Sequence, residues 1–150
     1  MNLRNLWAAT MFLAMTAGVV CTTGCQSSTS DSNLVGIRVD DAMQLVQGKK
    51  SLPFMTTKTG TWVDSRSEAD FRAGHIPGAI NLPYEQVNEN HGLLKNYKTL
   101  IVYGNDYNDN RAEGMSKRLM NLGHSDVLTL IGGLRAWKAE GNPVETSEGK

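Results

Sequence analysis

The side chains that could do chemistry are concentrated in one short segment, residues 104–111. After a leading glycine, the segment holds two aspartates, three asparagines, a tyrosine and an arginine. Its members are Gly104, Asn105, Asp106, Tyr107, Asn108, Asp109, Asn110 and Arg111. The segment contains no serine, threonine or cysteine. It therefore offers groups for binding but no ready nucleophile, and we predict a loop that recognises a small ligand or a partner protein.

Part of this segment has the spacing of a calcium loop. Asp106, Asn108 and Asn110 alternate as the first three ligands of an EF-hand do. Arg111 stands where that loop needs glycine, and Lys117 stands where it needs glutamate. Three interpretations stay open: a calcium site, a solvated polar turn, and a loop that binds a small ligand or a partner protein. Because the calcium pattern fails at Arg111 and Lys117, we predict no metal site, and we also predict no cofactor.

A second polar group precedes this segment. Asp64 and Arg66 follow an apolar stretch, and His75 precedes residues 76–79, Ile-Pro-Gly-Ala. Proline at the second position and glycine at the third are typical of a type II turn. Asp64 and Arg66 could bind a ligand or tie a strand end to a neighbouring loop. His75 is more often a structural hydrogen-bonding residue than a catalyst, and we treat all three as possible support for a pocket.

Short strands and helices alternate along the chain and must position these residues. We predict strands over residues 36–39, 61–64, 79–82, 99–103 and 126–131. We predict helices from Asp40 or Asp41 to Gln47, from a Ser65 cap to Ala73, and over residues 111–122 and 134–140. The continuous apolar run 99–103 is typical of a central strand buried on both faces. The prediction is an α/β fold, a parallel five-stranded sheet with helices on both faces.

The N-terminal residues differ from the rest. No charged side chain occurs in residues 5–30, and the apolar run over residues 6–20 is shorter than the ~20 residues of a spanning helix. Thr22, Thr23 and Gly24 precede Cys25, which resembles a bacterial lipoprotein signal, with Thr22 where that family usually has leucine. An uncleaved membrane anchor is the alternative. The resemblance implies a signal peptide over residues 1–25, acyl chains such as palmitate on Cys25, and an outer-membrane location facing the periplasm.

The domain boundaries follow from this reading. Residues 26–33 are small and polar and predict a flexible tether. Residues 34–145 form the folded domain, and residues 146–150 form a tail.

Composition excludes several classes of function. The 15 basic and 15 acidic residues cancel, so nothing in the net charge favours nucleic acid as a partner. The two cysteines, Cys21 and Cys25, are too few for a zinc ribbon, an iron–sulfur cluster or a disulfide framework.

Four sequence blocks, in order, resemble the rhodanese-like domain. They are residues 63–66, Val-Asp-Ser-Arg; residues 71–83, Phe-Arg-Ala-Gly-His-Ile-Pro-Gly-Ala-Ile-Asn-Leu-Pro; residues 101–103, Ile-Val-Tyr; and residues 132–144, which contain Gly-Gly-Leu-Arg-Ala-Trp and Gly-Asn-Pro-Val. The resemblance covers about residues 35–145 and implies the rhodanese-like fold. It also implies that a catalytic cysteine should follow the strand 99–103 and carry sulfane sulfur as a persulfide.

At that position this sequence has Gly104. Tyr107 cannot replace a thiol, because a phenol with an ordinary pKa of about 10 is a poor sulfur acceptor near neutral pH. Asp106 and Asp109 would weaken a cradle for anions, since like charges a few ångströms apart repel by about 1 kcal/mol in water. We therefore expect no catalytic residue, and a non-catalytic binding or regulatory module whose partner is an unknown protein or small anion. The alternative is a sulfurtransferase that acts by an unconventional route.

Overall fold

The computed structural model describes residues 33–47 and 60–147. The predicted signal peptide, Cys25 and residues 26–32 of the predicted tether lie outside the described residues, as do residues 148–150 of the tail. Within the described ranges, no helix is both long enough and apolar enough to cross a membrane.

Five parallel strands form one sheet in the order β1-β5-β4-β2-β3. The strands are β1 (Val35–Ile37), β2 (Gly60–Asp64), β3 (Ile80–Asn81), β4 (Thr99–Tyr103) and β5 (Val127–Leu130). The helices are α1 (Val39–Gln47), α2 (Glu68–Ala73), α3 (Val87–Asn90), α4 (Asn110–Asn121) and α5 (Gly133–Ala139), and short 3₁₀ turns flank α3 at Tyr84–Gln86 and His91–Leu94.

Strand β4 lies at the centre, and its side chains build a hydrophobic core on each face of the sheet. Leu100 and Val102 pack in one cluster, and Ile101 and Tyr103 pack in the other. Helix α4 covers the first cluster with residues such as Met115, and helices α1 and α5 cover the second. All five residues of β4 are buried, as a strand with helices on both sides requires. The predicted parallel sheet with helices on both faces is confirmed.

Several predicted boundaries were wrong. Helix α1 begins at Val39, which we had placed in a strand, because the Ala42 amide already donates to the Arg38 carbonyl at 3.0 Å. Asp40 and Asp41 therefore lie in the first turn of the helix rather than before it. Helix α4 begins at Asn110, one residue before the predicted start.

The predicted cap of α2 was also wrong. Ser67 caps this helix by accepting a hydrogen bond from the Asp70 amide at 3.2 Å. Ser65, the predicted cap, instead donates its hydroxyl to the Tyr103 carbonyl at 2.9 Å, and its backbone amide donates to the same oxygen at 3.0 Å. These two bonds extend the pairing of β2 with β4, so the chain cannot enter a helix at Ser65.

Candidate functional site

The predicted binding loop leaves the sheet at the carboxyl end of its central strand. Gly104 follows β4 directly and is buried, and α4 begins six residues later at Asn110. Strands β2 and β5 flank β4 on either side. In parallel sheets, ligands usually bind beyond the carboxyl ends of the strands, so residues 104–109 occupy the expected place for a site.

The carboxylate of Asp109 lies at the centre of this loop. Its Oδ2 accepts a hydrogen bond from the Asn105 amide at 2.8 Å, and its Oδ1 accepts from the Arg111 amide at 3.1 Å. The Arg111 guanidinium donates from Nε to Oδ1 at 2.9 Å and from Nη2 to Oδ2 at 3.0 Å. Asp109 is thus the N-cap of α4 and an internal anion that the loop itself binds.

These contacts set the charge state of the pair. Burial alone would raise the pKa of Asp109, but the hydrogen bonds from the Arg111 side chain and from the Asn105 and Arg111 amides hold it below its usual range. The same hydrogen bond to Asp109 raises the pKa of Arg111. Because the folded pKa of Asp109 is depressed, its contribution to stability is present above about pH 3.9 and is lost as the pH falls through the folded pKa.

Gly104 leaves the space that this carboxylate fills. A Cβ atom built at residue 104 would lie 2.7 Å from Asp109 Oδ2 and 2.9 Å from Asp109 Cγ. Real Cβ atoms essentially never approach so closely. A side chain at residue 104 and the observed position of Asp109 are therefore mutually exclusive.

Two glycines at the start of α5 hold the loop from its other side. The Leu134 amide donates to the Gly104 carbonyl and the Arg135 amide to the Asn105 carbonyl, both at 2.9 Å. Gly132 and Gly133 have φ values of 76° and 55°, and a Cβ at Gly133 would overlap the Gly104 carbonyl. The Leu134 and Arg135 amides in the first turn of α5 therefore already donate to backbone carbonyls of the loop.

Asp64 and Arg66 form a buried ion pair near the loop. Arg66 Nη2 lies 2.6 Å from Asp64 Oδ2 and 2.8 Å from the Gly74 carbonyl, and Nη1 lies 3.5 Å from Asn105 Oδ1. Burial alone would lower the pKa of Arg66, but the hydrogen bond to Asp64 raises it. The guanidinium thus joins the end of β2, the segment after α2 and the loop, which is the geometry of a tie between structural elements.

The ring of Tyr103 completes this buried layer. The Arg66 guanidinium carbon lies 5.8 Å from the ring centroid, and the Ile76 amide donates to the phenol oxygen at 3.2 Å. Burial, and to a lesser extent the charge of Asp64, raises the pKa of the Tyr103 phenol far above its usual range. Tyr103 therefore stays neutral and positions the turn at residues 76–79, where Gly78 has a φ of 74° and the Ala79 amide donates to the Ile76 carbonyl as predicted.

His75 makes structural contacts with Phe71 and Glu145. Its Nδ1 is 2.8 Å from the Phe71 carbonyl, and its ring stacks on Phe71 with centroids 3.7 Å apart. Its Nε2 is 3.7 Å from Glu145 Oε2, and the backbones of His75 and Glu145 form an isolated bridge. His75 does not line the cavity beside Gly104.

A cavity of about 480 Å³ lies beside the loop. It is lined by four of the eight predicted loop residues: Gly104, Asp106, Tyr107 and Asp109. The other four, Asn105, Asn108, Asn110 and Arg111, do not line it.

The sequence analysis missed the rest of the cavity wall. These residues come from the start of the domain, from α4 and from the end of β5: Leu34, Gly36, Ala112, Glu113, Thr129, Leu130, Ile131 and Gly132. Leu34 and Gly36 join the site because β1 pairs with β5, and no local sequence signal reports that pairing.

The residues with calcium-like spacing, Asp106, Asn108 and Asn110, form a turn and the start of α4. Asp106 Oδ1 accepts a hydrogen bond from the Asn108 amide at 2.9 Å, and Asn110 begins α4. Among residues 33–47 and 60–147, no three His, Cys, Asp or Glu side chains form a group that could hold a metal ion.

Comparison with known proteins gives consistent matches. A family model described as a rhodanese-like domain matches residues 40–140. The thiosulfate sulfurtransferase GlpE of Pseudomonas putida is 35% identical over 88 residues, which cover 58% of this chain and 76% of that protein. A sulfurtransferase of Allochromatium vinosum is 30% identical over 87 residues, which cover 58% of this chain and 79% of that protein.

Solved structures agree with the fold. The solution structure of the rhodanese-like domain of the Alr3790 protein from Anabaena sp. has a TM-score of 0.59 and 29% identity, and covers 74% of this chain and 78% of that domain. These matches confirm the rhodanese-like α/β fold that the sequence motifs predicted.

The steric exclusion between residue 104 and Asp109 can be measured by a double-mutant cycle. We expect Gly104→Ala to lower the free energy of unfolding by about 1–3 kcal/mol, because the methyl group must displace the carboxylate. Asp109→Ser shortens the side chain while keeping a residue that caps helices. In that background Gly104→Ala should lower the free energy of unfolding by clearly less. The difference between the two decreases is a coupling energy of about 0.5–3 kcal/mol, which chemical denaturation measures.

Gly92→Ala is the matched control, because a Cβ at Gly92 meets nothing within 4 Å. Its effect should be the same in both backgrounds. Equal costs of Gly104→Ala in the two backgrounds would contradict the steric account.

Proposed function

Because this chain belongs to the rhodanese-like domain family, we propose that it is a non-catalytic member, a binding or regulatory module tethered to the bacterial envelope. The observation that carries the proposal is the Asp109 carboxylate, which accepts hydrogen bonds from the loop's own amides beside Gly104. The loop is therefore already occupied by an anion that belongs to the chain.

The first argument concerns the nucleophile. Persulfide chemistry requires a thiolate that attacks the sulfane sulfur of a donor. We assign Gly104 to the position of the family's catalytic cysteine, because it directly follows the central strand β4. Glycine carries no group that could form the covalent bond, and the rest of the loop contains no serine, threonine or cysteine.

The second argument concerns the donor. Thiosulfate is an anion, and it would need backbone amides to stabilise it. The Asn105 and Arg111 amides already donate to Asp109, and the Leu134 and Arg135 amides donate to loop carbonyls. Two unit charges of like sign repel by about 1 kcal/mol at 4 Å in water and by about 4 kcal/mol near a protein surface. Arg111 balances the charge of Asp109, but Asp106 on the same loop remains negative, so entry of a dianion is opposed.

The relatives named as sulfurtransferases favour a second candidate. A sulfurtransferase built on this chain would have to hold sulfur as a bound anion, since no persulfide can form at Gly104. It would also have to move Asp109 away from the two amides that it occupies. Both requirements can be tested by the same assay.

Sulfur loading separates the two candidates. Purified residues 26–150, which contain no cysteine side chain at all, should show no thiosulfate-to-cyanide transfer above buffer. Gly104→Cys alone should also gain no sulfur, because Asp109 occupies the space of the new side chain. Gly104→Cys combined with Asp109→Ser should accept the outer sulfur of thiosulfate as a persulfide and release sulfite, detected as one added sulfur by intact mass.

A known active rhodanese serves as the positive control for the assay. Transfer by the wild-type chain would contradict the non-catalytic proposal. A double variant that folds and remains unloaded would contradict the role given to Asp109.

The tether forms a separate part of the proposal. The uncharged N-terminal residues, their short apolar run and the small residues before Cys25 support lipidation at that cysteine. Each buried CH₂ of an acyl chain contributes about 0.8 kcal/mol, so several chains hold a protein firmly on a membrane.

In a bacterial host, labelled palmitate should be incorporated into the wild-type chain and into Cys21→Ser, but not into Cys25→Ser. The wild-type chain and Cys21→Ser should sediment with the membrane fraction. Label retained on Cys25→Ser, or a wild-type chain that takes up no label, would refute the anchor.

A further inference from the structure

The cavity beside Gly104 has walls of two chemical kinds, carboxylates and exposed apolar side chains. We propose that it docks a basic segment of a partner protein, with a lysine or arginine side chain entering the cavity. This inference rests on the proposed non-catalytic function, because it gives the mouth of the loop a binding role in place of sulfur transfer. The proposed ligand also has the opposite charge to thiosulfate.

The charges of the wall favour a cation. Asp106 and Glu113 line the cavity, and so does Asp109, whose charge is paired with Arg111. No lysine or arginine lines the cavity in the part of the chain that the structure describes. A concave surface with charges of one sign concentrates ligands of the opposite sign. The cavity therefore attracts a positive group and disfavours a free anion.

The apolar part of the wall suits the stem of a long basic side chain. Leu34, Tyr107 and Ile131 line the same cavity. Tyr107 is 70% exposed and Ile131 is 45% exposed, so their apolar surface is open to a partner. Lysine and arginine bury their methylene groups against such surfaces and keep the charged head near carboxylates. The face of an exposed tyrosine adds a cation–π contact of about 0.5–1 kcal/mol.

The position of Tyr107 is supported by the turn before α5. A Cβ at Gly132 would lie 2.6 Å from Tyr107 Cζ, so the absence of a side chain there lets the ring lie against the turn. An aromatic ring held in this way loses little conformational freedom on binding, which is a property of residues that anchor protein interfaces.

The exposed apolar side chains of this surface favour a protein segment over a small amine. The volume of about 480 Å³ lies within the range of about 300–1,000 Å³ that is usual for small-molecule pockets, so volume alone admits either occupant. A small amine would leave the exposed parts of Tyr107 and Ile131 uncovered. A peptide that carries an apolar residue beside its basic residue covers both.

The test uses synthetic peptides and isotope-labelled protein. The probe is the capped peptide Ala-Leu-Arg-Leu-Ala, and its matched control carries citrulline, a neutral isostere, in place of arginine. Titration of ¹⁵N-labelled residues 26–150 by NMR reports affinity and contact residues together, and the spectra verify folding. We expect the arginine peptide to shift the amides of Gly104, Tyr107 and Gly132, and the citrulline peptide to bind about tenfold more weakly.

Variants of the wall provide the second half of the test. Glu113→Gln should weaken binding of the arginine peptide about threefold, as is usual for an exposed charge. Tyr107→Ala should weaken binding of the arginine peptide by a larger factor than Glu113→Gln does. Glu89→Gln, an exposed acidic residue on α3 that does not line the cavity, is the matched control and should leave affinity unchanged.

The outcomes distinguish this inference from the proposed function. Equal binding of the citrulline peptide, or absence of shifts at the cavity, would overturn the inference and leave the non-catalytic proposal intact. Binding of N-butylguanidinium as tightly as the peptide would replace the partner protein with a small cation and would also overturn it. Sulfur transfer by the wild-type chain would overturn the non-catalytic proposal whether or not the peptide binds.

Discussion

The structure of the site depends on one interaction, the capture of the Asp109 carboxylate by the loop that precedes α4. The carboxylate accepts from two backbone amides and from the guanidinium of Arg111. Charge-assisted hydrogen bonds of this kind are roughly twice as strong as neutral ones. Their effect is to satisfy, from within the chain, the donors that a bound anion would otherwise use. The charge of Asp109 is balanced by Arg111 without a ligand.

This arrangement requires glycine at three places. Gly104 leaves room for the carboxylate, and Gly132 and Gly133 let the turn before α5 approach the loop. The Gly104 carbonyl then accepts from Leu134, so the loop is fixed to α5 on one side and to α4 on the other. Asp106 and Glu113, which are not paired with Arg111, line the cavity beside the loop. Glycine at residue 104 and the internal carboxylate of Asp109 are therefore parts of one arrangement.

The fold could be predicted well from the sequence because the patterns that indicate its strands and turns are local. The run of residues 99–103 coincides with β4, and the turn at residues 76–79 has the predicted conformation. The cap of α2 was misplaced because Ser65 and Ser67 both suit a cap, and only the pairing of Ser65 with Tyr103 decides between them. The sequence analysis predicted that Asp109 would repel an anion. It could not predict that Asp109 itself takes that place, nor that Leu34 joins the site, since both depend on contacts between distant segments.

The most direct test of the internal carboxylate is an NMR titration of the Asp109 carboxyl carbon, followed together with the Asn105 and Arg111 amide protons. The account predicts that all three signals change with one common midpoint, at a pH below the ordinary aspartate pKa of about 3.9. A carboxyl that titrates at or above that value, or amide protons that do not follow it, would contradict the account.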